Sequence, residues 1–131
     1  IDLLVRKVLP DGGAALTSVL ERIAGELDPH LAFEARVREG LQRLQAATTA
    51  LCEAAPRDVQ GPYWVAGDYL RAVALVLMGW AWARILRRPE AAAPRWRQGA
   101  DAFARWVWPE LEMRLGLVLA QAQSPTPAVH G

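Results

Sequence analysis

Apolar residues recur three and four apart along most of the chain, while period-two alternation and β-branched runs are scarce. That pattern predicts an all-α domain. Residues 1–9 (IDLLVRKVL) read as the end of a helix that starts upstream, stopped by Pro10-Asp11-Gly12-Gly13. A helix from Ala14 to Leu27 carries the stripe Leu16, Leu20, Ile23 and Leu27, and Asp28-Pro29 ends it. A longer helix runs from Pro29 or His30 to Ala55, with Asp28 as N-cap and Pro29 in the first helical position. Its stripe Val37, Leu41, Leu44, Thr48, Leu51 and Ala55 is a bundle seam. Gly40 interrupts that helix at about 1 kcal/mol relative to alanine, which a close helix crossing would explain. After the loop PRDVQGP (56–62), a helix runs from Tyr63 or Val65 to Leu86. A connection over 89–94 leads to the last helix, Trp96 to Ala122. It turns Ala100, Phe103, Val107, Leu111, Leu115 and Val118 inward. Pro109 removes a backbone donor and crowds the carbonyl of Arg105, so a kink or restart is expected there. The expected architecture is an up-and-down four-helix bundle over 14–122. A turn and the end of an upstream helix precede it over 1–13, and a disordered tail follows over 123–131.

The segment 67–88 (GDYLRAVALVLMGWAWARILRR) has no charged side chain between Arg71 and Arg84. The charge-free stretch Ala72–Ala83 covers roughly 18 Å as a helix, short of the roughly 30 Å of a bilayer core. It is therefore read as the central helix of a soluble bundle. Leu44 and Leu77 are expected inside, each costing about 2–5 kcal/mol on truncation to alanine.

Composition narrows the function classes. A length of 131 residues fits one domain. A net charge of +1, from 15 basic and 14 acidic residues, gives no electrostatic case for nucleic acid or an anionic membrane surface. The single cysteine, Cys52, cannot form an internal disulfide and reads as an inert buried thiol. The chain opens on Ile1 without a signal-peptide pattern, which suggests that it begins inside a longer polypeptide.

Six tryptophans, at 64, 80, 82, 96, 106 and 108, are the main surplus. Trp80 and Trp82 lie about 200° apart on a helix, so one is expected in the core and one on an outer surface. Trp106 and Trp108 repeat that geometry. These four residues are the candidates for docking onto another domain or subunit. No catalytic, cofactor-binding or metal-binding residue is assigned. Glu110 and Glu112 diverge, and no Glu-x-x-His pair supports a di-iron site. His30 beside a helix start is read as solvated, and His130 lies in the tail. Ser18 and Ser124 lack a G-x-S-x-G setting. Gly12-Gly13 is a turn, not a phosphate loop. Arg84, Arg87 and Arg88 suit a helix C-terminus, with a phosphate contact as the weaker reading.

Two stretches resemble acyl-CoA dehydrogenases. Asp2, Leu3, Arg6, Lys7 and the Gly12-Gly13 turn are similar to the D-L-x-x-R-K helix that follows the family's G-I-Q-A-type active-site turn. Tyr69-Leu70-Arg71, Gly79-Trp80-Ala81-Trp82 and Pro109-Glu110 resemble the C-terminal helical extension of one branch, in which an aliphatic residue usually stands where Trp108 does. The resemblance implies the C-terminal fragment of an FAD-dependent enzyme that removes hydrogens from the α and β carbons of an acyl-CoA. Its glutamate base, flavin-binding domain and most of the acyl-CoA pocket would lie upstream of Ile1. This chain would then be a structural, oligomerising or active-site-covering domain, binding no FAD and not catalytic alone. It would partner the upstream domains of a cytoplasmic homo-oligomer. A free-standing helical interaction module with an aromatic docking face is the alternative. A small apolar-ligand carrier is a third reading.

Overall fold

A computed structural model of the chain, describing residues 2–123, has the all-α architecture that the periodicity predicts. A π-helical segment (Asp2–Val8) and a 3-10 turn (Leu9–Asp11) lead into α1 (Ala14–Glu26), α2 (Ala32–Ala54) and α3 (Gly61–Leu86). A 3-10 turn at Pro89–Ala92 precedes a fourth rod built in three pieces: α4 (Pro94–Ala102), a π-helical turn (Phe103–Val107) and α5 (Glu110–Gln123). Of the tail predicted over 123–131, Gln123 is the last residue of α5, and the rest, with Ser124 and His130, lies outside the described residues.

The first corner is made by Gly12 and Gly13, both left-handed, at φ +66° and +82°. Asp11 completes it by accepting the Gly13 and Ala15 backbone N–H groups, each at 3.0 Å. This turn sends α1 back over the bundle with Leu20, Ile23 and Leu27 in the core. The same core contains Leu4 and Val8, so the N-terminal segment is packed into the bundle.

The α2 seam is as expected at Val37, Leu41, Leu44, Thr48 and Leu51, with Ala54 rather than Ala55 completing it. At the other end α2 starts later than Asp28-Pro29 suggested. Its N-cap is Leu31, with no side-chain cap. Asp28 instead closes the preceding turn, its carboxylate accepting the His30 N–H at 2.8 Å. Glu34 reaches back from the first turn to take the Asp28 N–H at 2.9 Å.

The central helix α3 packs against α2, α4, α5 and the N-terminal segment. It is longer than its charge-free stretch, and by length and composition alone it could cross a membrane. The length argument against a span therefore does not stand by itself. Asp68 and Arg71 fall inside the helix because α5 supplies their partners: Arg114 lies 2.7 Å from Asp68, and Glu110 lies 2.6 Å from Arg71. Those pairs and the packing on several sides make α3 the core helix of a bundle. Leu77 is a correction: it is 39% exposed and does not belong to the core. An uncharged helix carries no polar face to mark its outward side, so periodicity misplaced it.

Pro109 interrupts the fourth rod as expected. The rod widens ahead of it, with the Trp108 N–H bonding to the Phe103 carbonyl five residues back at 2.9 Å. A wide turn next to proline is a recognised way to absorb the missing bond. The widening swings Trp108 inward between two glycines. A Cβ on Gly40 of α2 would overlap the Trp108 ring and approach Leu111 to 2.7 Å. One on Gly79 of α3 would meet the same ring at 2.7 Å. The close crossing anticipated at Gly40 is thus an indole of the fourth rod inserted between α2 and α3.

One buried polar link joins α2 to α3. Thr48 donates to the Leu44 carbonyl at 2.8 Å, leaving its oxygen to accept from the fully buried Tyr69 hydroxyl, also at 2.8 Å. Burial raises the Tyr69 pKa to about 12, partly offset by the Thr48 hydrogen bond.

Gly40→Ala should lose more to overlap, about 1–3 kcal/mol, than the roughly 1 kcal/mol gained in helix propensity. Urea unfolding should show a net destabilisation, and Gly79→Ala should behave likewise. Tyr69 gives a pH signature. Its folded pKa exceeds the unfolded value near 10, so its contribution is whole below about pH 10 and is lost as the pH rises toward 12. Tyr69→Phe should cost about 1 kcal/mol at pH 7. It should also flatten the fall in stability across that alkaline window, measured by denaturant titration at each pH.

Candidate functional site

The tryptophans divide into three environments. Trp108, at 8% exposure, is core. Its ring contacts Phe103, with centroids 6.0 Å apart, and Phe103 in turn contacts Trp82 at 6.5 Å. Trp82 is half-buried and lies over Gly99 of α4, where a Cβ would meet the ring at 2.6 Å. These three aromatics form a chain between α3 and the fourth rod, so Trp82 and Trp108 are spent on internal packing.

Trp80 is also half-buried, at the opposite edge of α3. Its indole N–H donates to Glu26 at 2.9 Å, and the Arg84 guanidinium lies 5.2 Å from the ring centroid. Only Trp106 of the four docking candidates is open, at 74% exposure, with Arg105 lying 4.9 Å from its ring centroid. Trp64, which lies outside the four docking candidates, is 67% exposed beside the half-exposed Tyr63. Together with Gln60 they line an open groove of about 420 Å³. Pro62-Tyr63-Trp64 at a helix start was the available signal, since side chains in the first turn of a bundle helix often overhang its end.

The end of the bundle near Trp80 contains a cleft of about 250 Å³, lined in part by Glu26, Glu34, Arg84, Arg87 and Arg88. Its charges are committed to one another. Arg87 holds both oxygens of Glu34, one through Nε at 3.0 Å and the other through Nη2, and Nη2 also donates to the Glu26 carbonyl at 2.7 Å. The Glu34 hydrogen bond holds the Arg87 pKa above its ordinary value. Arg88 lies 3.7 Å from Glu90, and Arg84 sits on Trp80. Glu34, only 4% exposed, therefore ties the α1–α2 corner to the end of α3. A phosphate would have to compete with these carboxylates, so the helix-end reading of the arginines is the stronger one.

The other polar residues singled out in the sequence lie apart from this cleft. Glu110 faces Arg71 of α3, and Arg71 together with Arg114, one turn on in α5, holds its carboxyl below the usual range, while Glu112 points to Arg43 of α2 at 3.9 Å. The two carboxylates do diverge. His30 is exposed, and Ser18 is exposed on α1. Cys52 is partly buried, and burial together with Asp11 and Glu53 raises its pKa, which disfavours the reactive thiolate. Among the described residues, no three His, Cys, Asp or Glu side chains gather where a metal could sit. The space between α2, α3 and α5 is filled by Leu41, Leu44, Tyr69, Leu75 and Val118 and does not fit a flavin ring.

Residues 15–126 match the family model described as acetyl-CoA dehydrogenase C-terminal like. Comparison with curated proteins and with solved structures gives no match.

Arg87 and its neighbour Arg88 provide a test of the polar corner. Arg87→Ala leaves the buried Glu34 carboxylate without its guanidinium and should lower the melting temperature clearly. Arg88→Ala, at an exposed pair, should leave it nearly unchanged. Equal shifts in thermal unfolding would contradict the structural role given to Glu34.

Proposed function

The chain belongs to the acetyl-CoA dehydrogenase C-terminal-like family, and from that premise we propose that it serves as the non-catalytic helical domain of an FAD-dependent acyl-CoA dehydrogenase. In the complete enzyme, the flavin and the carboxylate base that removes the substrate α-proton belong to upstream domains. FAD supplies hydride acceptance there, and no step of that chemistry is assigned to residues of this chain. Its role is mechanical: to brace the catalytic body and help hold the assembly together. A boundary near residue 13, a cytoplasmic location and homo-oligomeric assembly are parts of the same proposal.

The observation that carries this reading is the state of the N-terminal segment. Asp2, Leu3, Arg6 and Lys7 bear the resemblance to the helix that follows the active-site turn. The same segment buries Leu4 and Val8 in the core, against α3. A catalytic body connected through it would be coupled to the bundle by side-chain packing rather than by a flexible linker. Trp106 is the residue best placed to reach that body, because it is large, exposed and backed by Arg105.

The native gene product containing these residues should have a mass several times 14.4 kDa. It should purify with flavin absorbance and reduce an artificial electron acceptor in the presence of an acyl-CoA. A native product near 14.4 kDa without flavin would overturn the proposal in favour of a free-standing interaction module. Trp106→Ala should leave the unfolding of the isolated chain within about 0.5 kcal/mol of the parent and lower the melting temperature of the full enzyme. An unchanged full enzyme would remove Trp106 from the docking face.

A further inference from the structure

The outer face of α3 is an uncharged stripe that no described residue covers. Tyr63, Gly67, Leu70, Ala74, Leu77 and Ala81 follow a 4-3-4-3-4 spacing, the same seam spacing that α2 uses for the core. All are exposed except the half-buried Ala74, and Trp64 and Met78 flank them, also exposed. Along the stripe small residues alternate with large ones. Gly67 adds a second observation. Gly40, Gly79 and Gly99 each sit under a tryptophan ring, whereas a Cβ on Gly67 of this stripe would have nothing within 4 Å, as at Gly25 of α1 and Gly116 of α5. No contact among the described residues requires the least favourable helix residue after proline at that position. Close approach from outside would.

We propose that α3 pairs with α3 of a second copy of this chain, antiparallel about a two-fold axis level with Ala72. In that register every layer joins a small residue to a large one. Tyr63 meets Ala81 of the second copy, Gly67 meets Leu77, and Leu70 meets Ala74, and the two-fold repeats each contact. The face is therefore self-complementary, as an isologous interface must be. Small residues at seven-residue intervals let two helices approach closely while the leucines of the other helix fill the space beside them. Trp64 falls beside Met78 of the second copy, a favourable sulfur–aromatic contact. Sliding the register by one heptad either shortens the stripe or brings Arg84 into it. The one charge at the rim near the axis, Arg71, is already bound to Glu110 at 2.6 Å, so the two copies do not present bare like charges. The contact spans about 27 Å of helix. That length is at the small end of specific interfaces, so the dimer should depend on concentration.

This inference rests on the homo-oligomeric part of the proposed function and gives it an interface; its failure is distinguishable from that of the enzyme role, because it is read as mass and not as flavin or activity. Analytical ultracentrifugation of the 131-residue chain, up to about 1 mM, should show a shift from 14.4 kDa toward twice that mass. Leu77→Arg should return it to one chain length at every concentration. Gly67→Leu should do the same while raising thermal stability at low concentration, because a Cβ there has nothing within 4 Å, leucine is the better helix former, and its side chain would take the place of Leu77 from the second copy. Mixing Leu70→Cys and Ala74→Cys chains under oxidising conditions should give a cross-linked heterodimer. A folded chain that stays monomeric throughout, or a dimer that survives both Leu77→Arg and Gly67→Leu, would overturn the proposal.

Discussion

The position of Trp108 between Gly40 and Gly79 is the contact on which the rest of the arrangement depends. Two helices separated by a full layer of leucines leave no room for an indole between them and the next rod. Here α2 and α3 each give up a side chain at one level, and the ring fills the space. The ring reaches it only because the chain before Pro109 widens into a π-helical turn, which rotates Trp108 away from where a regular helix would put it. Proline, wide turn, tryptophan and two glycines are one device distributed over three helices. Phe103 and Trp82 extend it to Gly99, so the fourth rod is held by aromatic insertion at its middle and by leucines along α5.

Polar contacts fix what this packing leaves free. Glu34 joins the α1–α2 corner to Arg87 at the end of α3, and Asp11 closes the corner before α1. Thr48 and Tyr69 lock the register of α2 against α3 within the core, where an unpaired hydroxyl would be costly. None of these groups is arranged as an acid, a base or a nucleophile with an open position beside it. Their partners are one another and nearby backbone groups.

Much of this was legible in the sequence. The α1 and α2 stripes, the break at Pro109 and the divergence of Glu110 and Glu112 follow from spacing and from the covalent limits of proline, which tertiary contacts do not override. The start of α2 was misplaced because Asp28 had two local uses, as a helix cap and as a turn closer, and Glu34 decides between them from six residues away. Leu77 was misplaced for a different reason. Periodicity locates a buried face by contrast with a polar one, and α3 offers almost no contrast. The tryptophan pairs were half legible: spacing separates Trp106 from Trp108, but it does not show that α4 would supply Gly99 as a seat for Trp82, or α1 a carboxylate for Trp80.

The rotation of α3 about its axis is consequently set by something other than hydrophobicity. With apolar residues on every side, several rotations would bury similar areas, and the small energy differences among them would not specify one structure. Asp68 and Arg71 remove that freedom. They are the only charges within the body of the helix before Arg84, and both must face α5 to meet Arg114 and Glu110. Once they do, Tyr69 turns toward Thr48 of α2 and Gly79 toward the Trp108 ring, and the row from Tyr63 to Ala81 turns outward. The two ion pairs are partly exposed and contribute little stability themselves. Their effect is to choose which of two similar apolar faces becomes the core and which becomes the surface.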